Sequence, residues 1–101
     1  MKKQNIEFQI DQKTSDGEYS NIVNILFNDM EFIFDFARIL PGTPVAKIKA
    51  RVIMNPKNAK ALMKLLESRI YDYEAKFGEI KIDNKTLNNK GNIGFKIDEN
   101  S

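Results

Sequence analysis

Ile6, Phe8 and Ile10 alternate with Glu7, Gln9 and Asp11. A period of two marks a strand with one face buried and the other in water, so a first strand is predicted there. Lys13-Thr14-Ser15-Asp16-Gly17 breaks the alternation and reads as a loop. Two apolar runs, residues 19–27 and 30–37, then flank Asn28-Asp29, a pair that suits a tight hairpin. With a two-residue loop, Phe27 faces Met30, Ile25 faces Phe32 and Val23 faces Phe34, all apolar and all on one face. The reverse face pairs Leu26 with Glu31, Asn24 with Ile33 and Ile22 with Asp35. A slip of one residue would mix the two sets.

Pro41-Gly42-Thr43-Pro44 turns the chain into a further strand. In it Ala46, Ile48, Ala50, Val52 and Met54 make an apolar face, while Lys47, Lys49 and Arg51 point the other way. Asn55-Pro56 is a helix start: a capping side chain, then a proline whose missing N–H costs nothing at the first helical position. Leu62, Leu66, Ile70, Tyr73 and Phe77 follow at helical spacing, and Gly78 is placed to end the helix. Residues 84–92 are polar and read as a connector. Ile80 and Ile82 before it, and Ile93, Phe95 and Ile97 after it, alternate briefly as short strands or a docking tail. The expected fold is α+β: an antiparallel sheet of about four strands, then one long amphipathic helix packed on one face. Residues 1–80 form the domain, and residues 81–101 a polar linker with a short-strand or flexible tail.

At 101 residues there is room for one core. The chain has no cysteine and no histidine. That removes disulfides, thiolate metal sites and the commonest general base, so no metal or cofactor is expected. Glu31 and Asp35, four residues apart on a strand, stand about 13 Å apart. Glycosidase carboxylates need roughly 5–9.5 Å. No glycine-rich phosphate loop is present, so no catalytic residue is assigned and a non-enzymatic role is expected. Residues 1–5 carry charge with no apolar run behind them, which is not a signal-peptide pattern. No apolar run nears the roughly 20 residues that span a bilayer. A cytoplasmic protein with no membrane partner and no small-molecule substrate is expected.

Charge changes the picture. Residues 36–66 hold Arg38, Lys47, Lys49, Arg51, Lys57, Lys60 and Lys64 and no carboxylate, although the net charge is only +2. Segregation of this kind gives a domain a basic side and suits an acidic partner. The plain reading for Lys47, Lys49 and Arg51 is pairing with Glu31 and Asp35 on the neighbouring strand. Lys57, Lys60 and Lys64 are harder to place, because the first turns of a helix disfavour positive charge. Their plain reading is a solvated face and their functional one a docking surface. Single-strand nucleic-acid binders interleave basic and aromatic residues. This window has no aromatic after Phe36, so nucleic acid is not the favoured partner.

The chain also resembles a bacterial domain family of unknown function. The likeness rests on Tyr19-Ser20-Asn21, Glu31-Phe32 with Asp35-Phe36, Pro41-Gly42 with Pro44, and Arg51-Val52-Ile53-Met54 with Pro56. It continues through Ala59-Lys60, Tyr73-Glu74 and Phe77-Gly78-Glu79-Ile80. The order of strands and helix is similar to that of SecB-type export chaperones, oligomers that hold unfolded chains. Members of the family are associated with genes beside those of the large RNA polymerase subunits, so the resemblance implies an accessory role in transcription.

The expected function is a non-catalytic protein-interaction module, a small oligomer or a subunit of a larger assembly. Its basic surface is Lys57, Lys60, Lys64, Lys47, Lys49 and Arg51, and Ile93, Phe95 and Ile97 dock the tail. The expected partner is a protein with an acidic surface, RNA polymerase on the resemblance, and self-association is expected too. A phosphate-backbone nucleic-acid binder and a SecB-like holdase are the alternatives.

Overall fold

The computed structural model describes residues 5–83 and the backbone of a further strand, Asn92–Gly94. The elements run α1 (Gln12–Ser15), β1 (Ile22–Phe27), β2 (Phe32–Arg38), β3 (Lys47–Met54), α2 (Pro56–Phe77) and β4 (Asn92–Gly94). The architecture is α+β: a three-stranded antiparallel sheet, β1 to β3, followed by one long helix. The three residues of β4 lie antiparallel along β1, so the order across the sheet is β3-β2-β1-β4.

The sheet body has three strands rather than about four because residues 6–10 lie outside any strand. Phe8 is 93% exposed there, and Ile6 and Ile10 are exposed with it. Alternation decides which side chains share a face, but a strand also needs a neighbour for its N–H and C=O groups. Among the described residues nothing pairs with this segment. The loop expected next contains one helical turn, α1, because the Asp11 carboxylate accepts a hydrogen bond from the Thr14 N–H at 2.7 Å.

The hairpin of β1 and β2 forms with the expected faces but with a longer loop. Asn28 Oδ1 accepts from the N–H of Met30 at 2.7 Å and of Glu31 at 2.9 Å, and the Asn28 N–H donates to the Glu31 carbonyl. This side-chain turn holds residues 28–31 as a four-residue loop. Phe27 therefore stands opposite Phe32, Ile25 opposite Phe34 and Val23 opposite Phe36. The register differs by two residues from the two-residue loop, and a shift of two keeps every side chain on its face. Phe27, Phe32, Phe34 and Phe36 make a ladder with ring centres 5.6, 6.4 and 6.4 Å apart.

The face of β3 needs correction. Phe36 stands opposite Ala50 but Ala37 opposite Ile48, which leaves Lys49 as an extra residue at a bulge. One inserted residue inverts the alternation. Ile48 thus shares the Asp35 face with Ile22 and Ala37, away from Ala50, Val52 and Met54.

Helix α2 begins and ends where the sequence places it. Asn55 caps it by accepting from the Asn58 N–H at 2.7 Å, and Pro56 opens it. Gly78 closes it at φ +106°, a conformation that penalises any Cβ. The Glu74 carboxylate then accepts from the Ile80 N–H at 2.9 Å. The start of β1 is tied to the end of β2 by Asn21, whose side chain exchanges two 3.0 Å hydrogen bonds with the backbone of Ile39. Ser20 Oγ donates to the Ala37 carbonyl beside it. Around this tie sit the only buried apolar residues among those described, Ala37 and Ile39, with Asp35 the one buried charged group.

Candidate interaction surface

The aromatic ladder and α2 together form an open furrow. Its head, about 570 Å³, lies between Ile25, Phe32 and Phe34 of the sheet and Pro56, Ala59, Lys60 and Met63 of the helix. Its tail, about 380 Å³, runs along the helix past Leu66, Glu67, Ile70, Tyr71 and Glu74, and Met63 lines both parts. Sheet residues line the head of the furrow, beside the first turns of α2, whereas its tail is lined by helix residues among those described. From Met63 onward the apolar stripe is open, from Ile70 at 39% exposed to Phe77 at 67%. Tyr73 and Phe77 touch each other, with ring centres 4.9 Å apart, and each is at least half exposed.

The furrow changes charge along its length. Lys57, Lys60 and Lys64 are exposed in the first turns of α2, where no acidic residue stands. None of them makes an ion pair within the described residues. Glu67, Asp72 and Glu74 follow in the second half, Asp72 bridged to Arg69 at 2.9 Å. The stripe that helical spacing predicts, Leu62, Leu66, Ile70, Tyr73 and Phe77, includes neither Met63 nor the acidic second half. Met63 was legible: it lies four residues after Ala59 and seven before Ile70, on the same side of a helix.

The six basic residues expected to act together divide. Arg51 Nε and Nη2 donate to the two Asp35 oxygens at 2.6 and 2.8 Å, which neutralises it as the cross-strand reading expected. This bidentate hydrogen bond holds the Asp35 carboxyl below the usual carboxylate range, against the opposing pull of burial. It also raises the Arg51 guanidinium further. Glu31 makes no ion pair among the described residues and lies in the hairpin loop, where its backbone bonds to Asn28. Because of the bulge, Lys47 pairs in register with Arg38 on the face opposite Arg51, and Lys49 is the bulged residue. The helix lysines are the group that stays together, with Lys60 in the wall of the furrow. Of the tail residues, Ile93 lies in β4 opposite Val23, while Phe95 and Ile97 fall outside the described residues.

Among the described residues no cluster of three or more acidic, cysteine or histidine side chains could hold a metal ion. No described helix is long and apolar enough to cross a membrane.

A family model described as "Protein of unknown function (DUF3467)" matches residues 1–82. The chain belongs to this family. No curated protein and no solved structure matches it. In this DUF3467 member several of the motif residues quoted above do structural work. Asn21 ties Ile39, Asp35 holds Arg51, Gly42 takes a positive φ of 84° in its turn, and Gly78 ends α2. Lys60, by contrast, makes no ion pair or side-chain hydrogen bond among the described residues and faces the furrow.

Proposed function

We propose that this DUF3467 chain is a non-catalytic protein-interaction module that works as a subunit of an assembly. The observation that carries this reading is the furrow. The aromatic ladder and the α2 stripe are both apolar faces, yet the ladder is only half-buried, with Phe27 exposed, and the α2 stripe is exposed from Met63 to Phe77. Exposed apolar surface rimmed by charge is characteristic of interaction sites. The partner that suits it presents an apolar ridge flanked by carboxylates, so that the ridge enters the furrow and the carboxylates meet Lys57, Lys60 and Lys64. RNA polymerase is the larger assembly to which the family resemblance points.

Affinity purification of the tagged chain at moderate salt tests the reading, with a Lys57→Glu, Lys60→Glu, Lys64→Glu variant as its control. A stoichiometric protein that the wild type holds and the variant loses is the expected result. Recovery of nucleic acid with a steep salt dependence would support the phosphate-backbone alternative instead. Suppression of aggregation of a denatured protein would favour a SecB-like holdase. A chain that is monomeric by light scattering and brings down no partner overturns the interaction reading.

A further inference from the structure

Lys57, Lys60, Lys64, Glu67, Tyr71 and Glu74 follow one another at steps of three, four, three, four and three. At 100° per residue that spacing places all six on one flank of α2. Lys60, Glu67, Tyr71 and Glu74 line the furrow itself. The flank is therefore basic in its first half and acidic in its second, beside a stripe of Met63, Leu66, Ile70, Tyr73 and Phe77 that is exposed throughout. The second half of α2 is thus the kind of surface its first half would bind: an apolar ridge with carboxylates along one side.

We infer that the furrow is filled by a second copy of this chain, the two α2 helices lying antiparallel about a two-fold axis. Antiparallel pairing brings the same flank of both helices together and sets the lysine half of one against the carboxylate half of the other. A two-fold contact makes this exchange twice, because each patch meets its counterpart in both directions. Parallel pairing would bring opposite flanks together and leave the row unused. Size agrees. Tyr73 and Phe77, half and two-thirds exposed, offer roughly 200 Å² between them. Met63, Leu66, Ile70 and the phenylalanine side of the furrow extend that toward the ~800 Å² per partner typical of a stable pair.

This inference rests on the interaction-module reading for the site and names the occupant. Two variants test it: an acidic chain, Lys60→Glu with Lys64→Glu, and a basic chain, Glu67→Lys with Glu74→Lys. Sedimentation should show a wild-type dimer. Each variant alone should dissociate at least about tenfold more readily, since like charges then face each other at both ends. Mixed in equal amounts, the two should recover a one-to-one dimer, because every reversed position meets a reversed partner. That recovery also shows both variants are folded. A wild type that is monomeric at every accessible concentration overturns the inference. So does a dimer indifferent to both variants, or a mixture that fails to pair although both chains keep wild-type circular dichroism. If a monomeric wild type still captures an acidic protein through its lysines, self-pairing is wrong and the interaction reading stands. If it captures nothing, both are wrong.

Discussion

Asp35 and Arg51 form an unequal pair. The Asp35 side chain is 2% exposed and the Arg51 side chain 53%, so the two halves tolerate separation differently. Without Asp35, the freed Arg51 already reaches water. Without Arg51, a carboxylate is left on the sheet with no partner, and burial then pushes its pKa up rather than down. Asp35→Asn should therefore destabilise the chain less than Arg51→Ala at neutral pH. The signs with pH differ as well. In the wild type the folded-state pKa of Asp35 lies below its unfolded value. The pair's contribution is therefore full above the unfolded value, about 3.9, and is lost as pH falls through the folded one. In Arg51→Ala the folded-state value is raised, so its stability should fall as pH rises through the carboxylate range. Urea melts of both proteins between acid and neutral pH should converge toward low pH and diverge above it. Parallel profiles would show that Arg51 is not what holds this carboxylate ionised.

At the scale of elements, what was legible in the sequence were features carried by a single side chain or by parity. Asn55, Pro56 and Gly78 mark both ends of α2 because each acts locally, through one hydrogen bond, one absent donor or one positive φ. Replacing the Asn55 cap with alanine should cost about 1 kcal/mol, and with glycine only a few tenths, in thermal melts followed by helix ellipticity. Equal losses from the two would mean that the cap acts through something other than its side-chain oxygen. The hairpin faces were legible for a different reason, since a shift of two residues leaves them unchanged. The loop length was not, because two hydrogen bonds to Asn28 decide it against the simpler turn. Nor was the bulge at Lys49, which sends Lys47 and Arg51 to opposite faces and breaks the basic row that their spacing implied. Residues 6–10 show the limit most plainly: their pattern is that of a strand, but which strand lies beside them is not a local property. The candidate site follows the same rule. The helix lysines stand out in the acid-free window, whereas the furrow depends on how α2 approaches the sheet.

For the molecule as a whole the question is what supplies a core. Ordering one residue's backbone costs about 1–2 kcal/mol, and burial of apolar surface is the main term that offsets it. A chain of this size ordinarily removes about 60–65% of its unfolded surface from water. Here the buried apolar residues among those described are Ala37 and Ile39, while Phe27, Val52, Met63, Leu66, Tyr73 and Phe77 remain open. If a second copy covers those side chains, folding and association are one equilibrium, and apparent stability depends on protein concentration. The melting temperature should then rise steadily with protein concentration over two orders of magnitude or so. It should also fall with added salt at fixed concentration, because the lysine and carboxylate halves of α2 attract across an exposed seam that ions screen. The two dependences separate the contributions. A rise with concentration but no response to salt would leave the apolar stripe as the sole adhesive and deny the charged row its role. A cooperative melt at a temperature independent of concentration would show that one chain is stable alone, and that the open furrow is kept for a different partner.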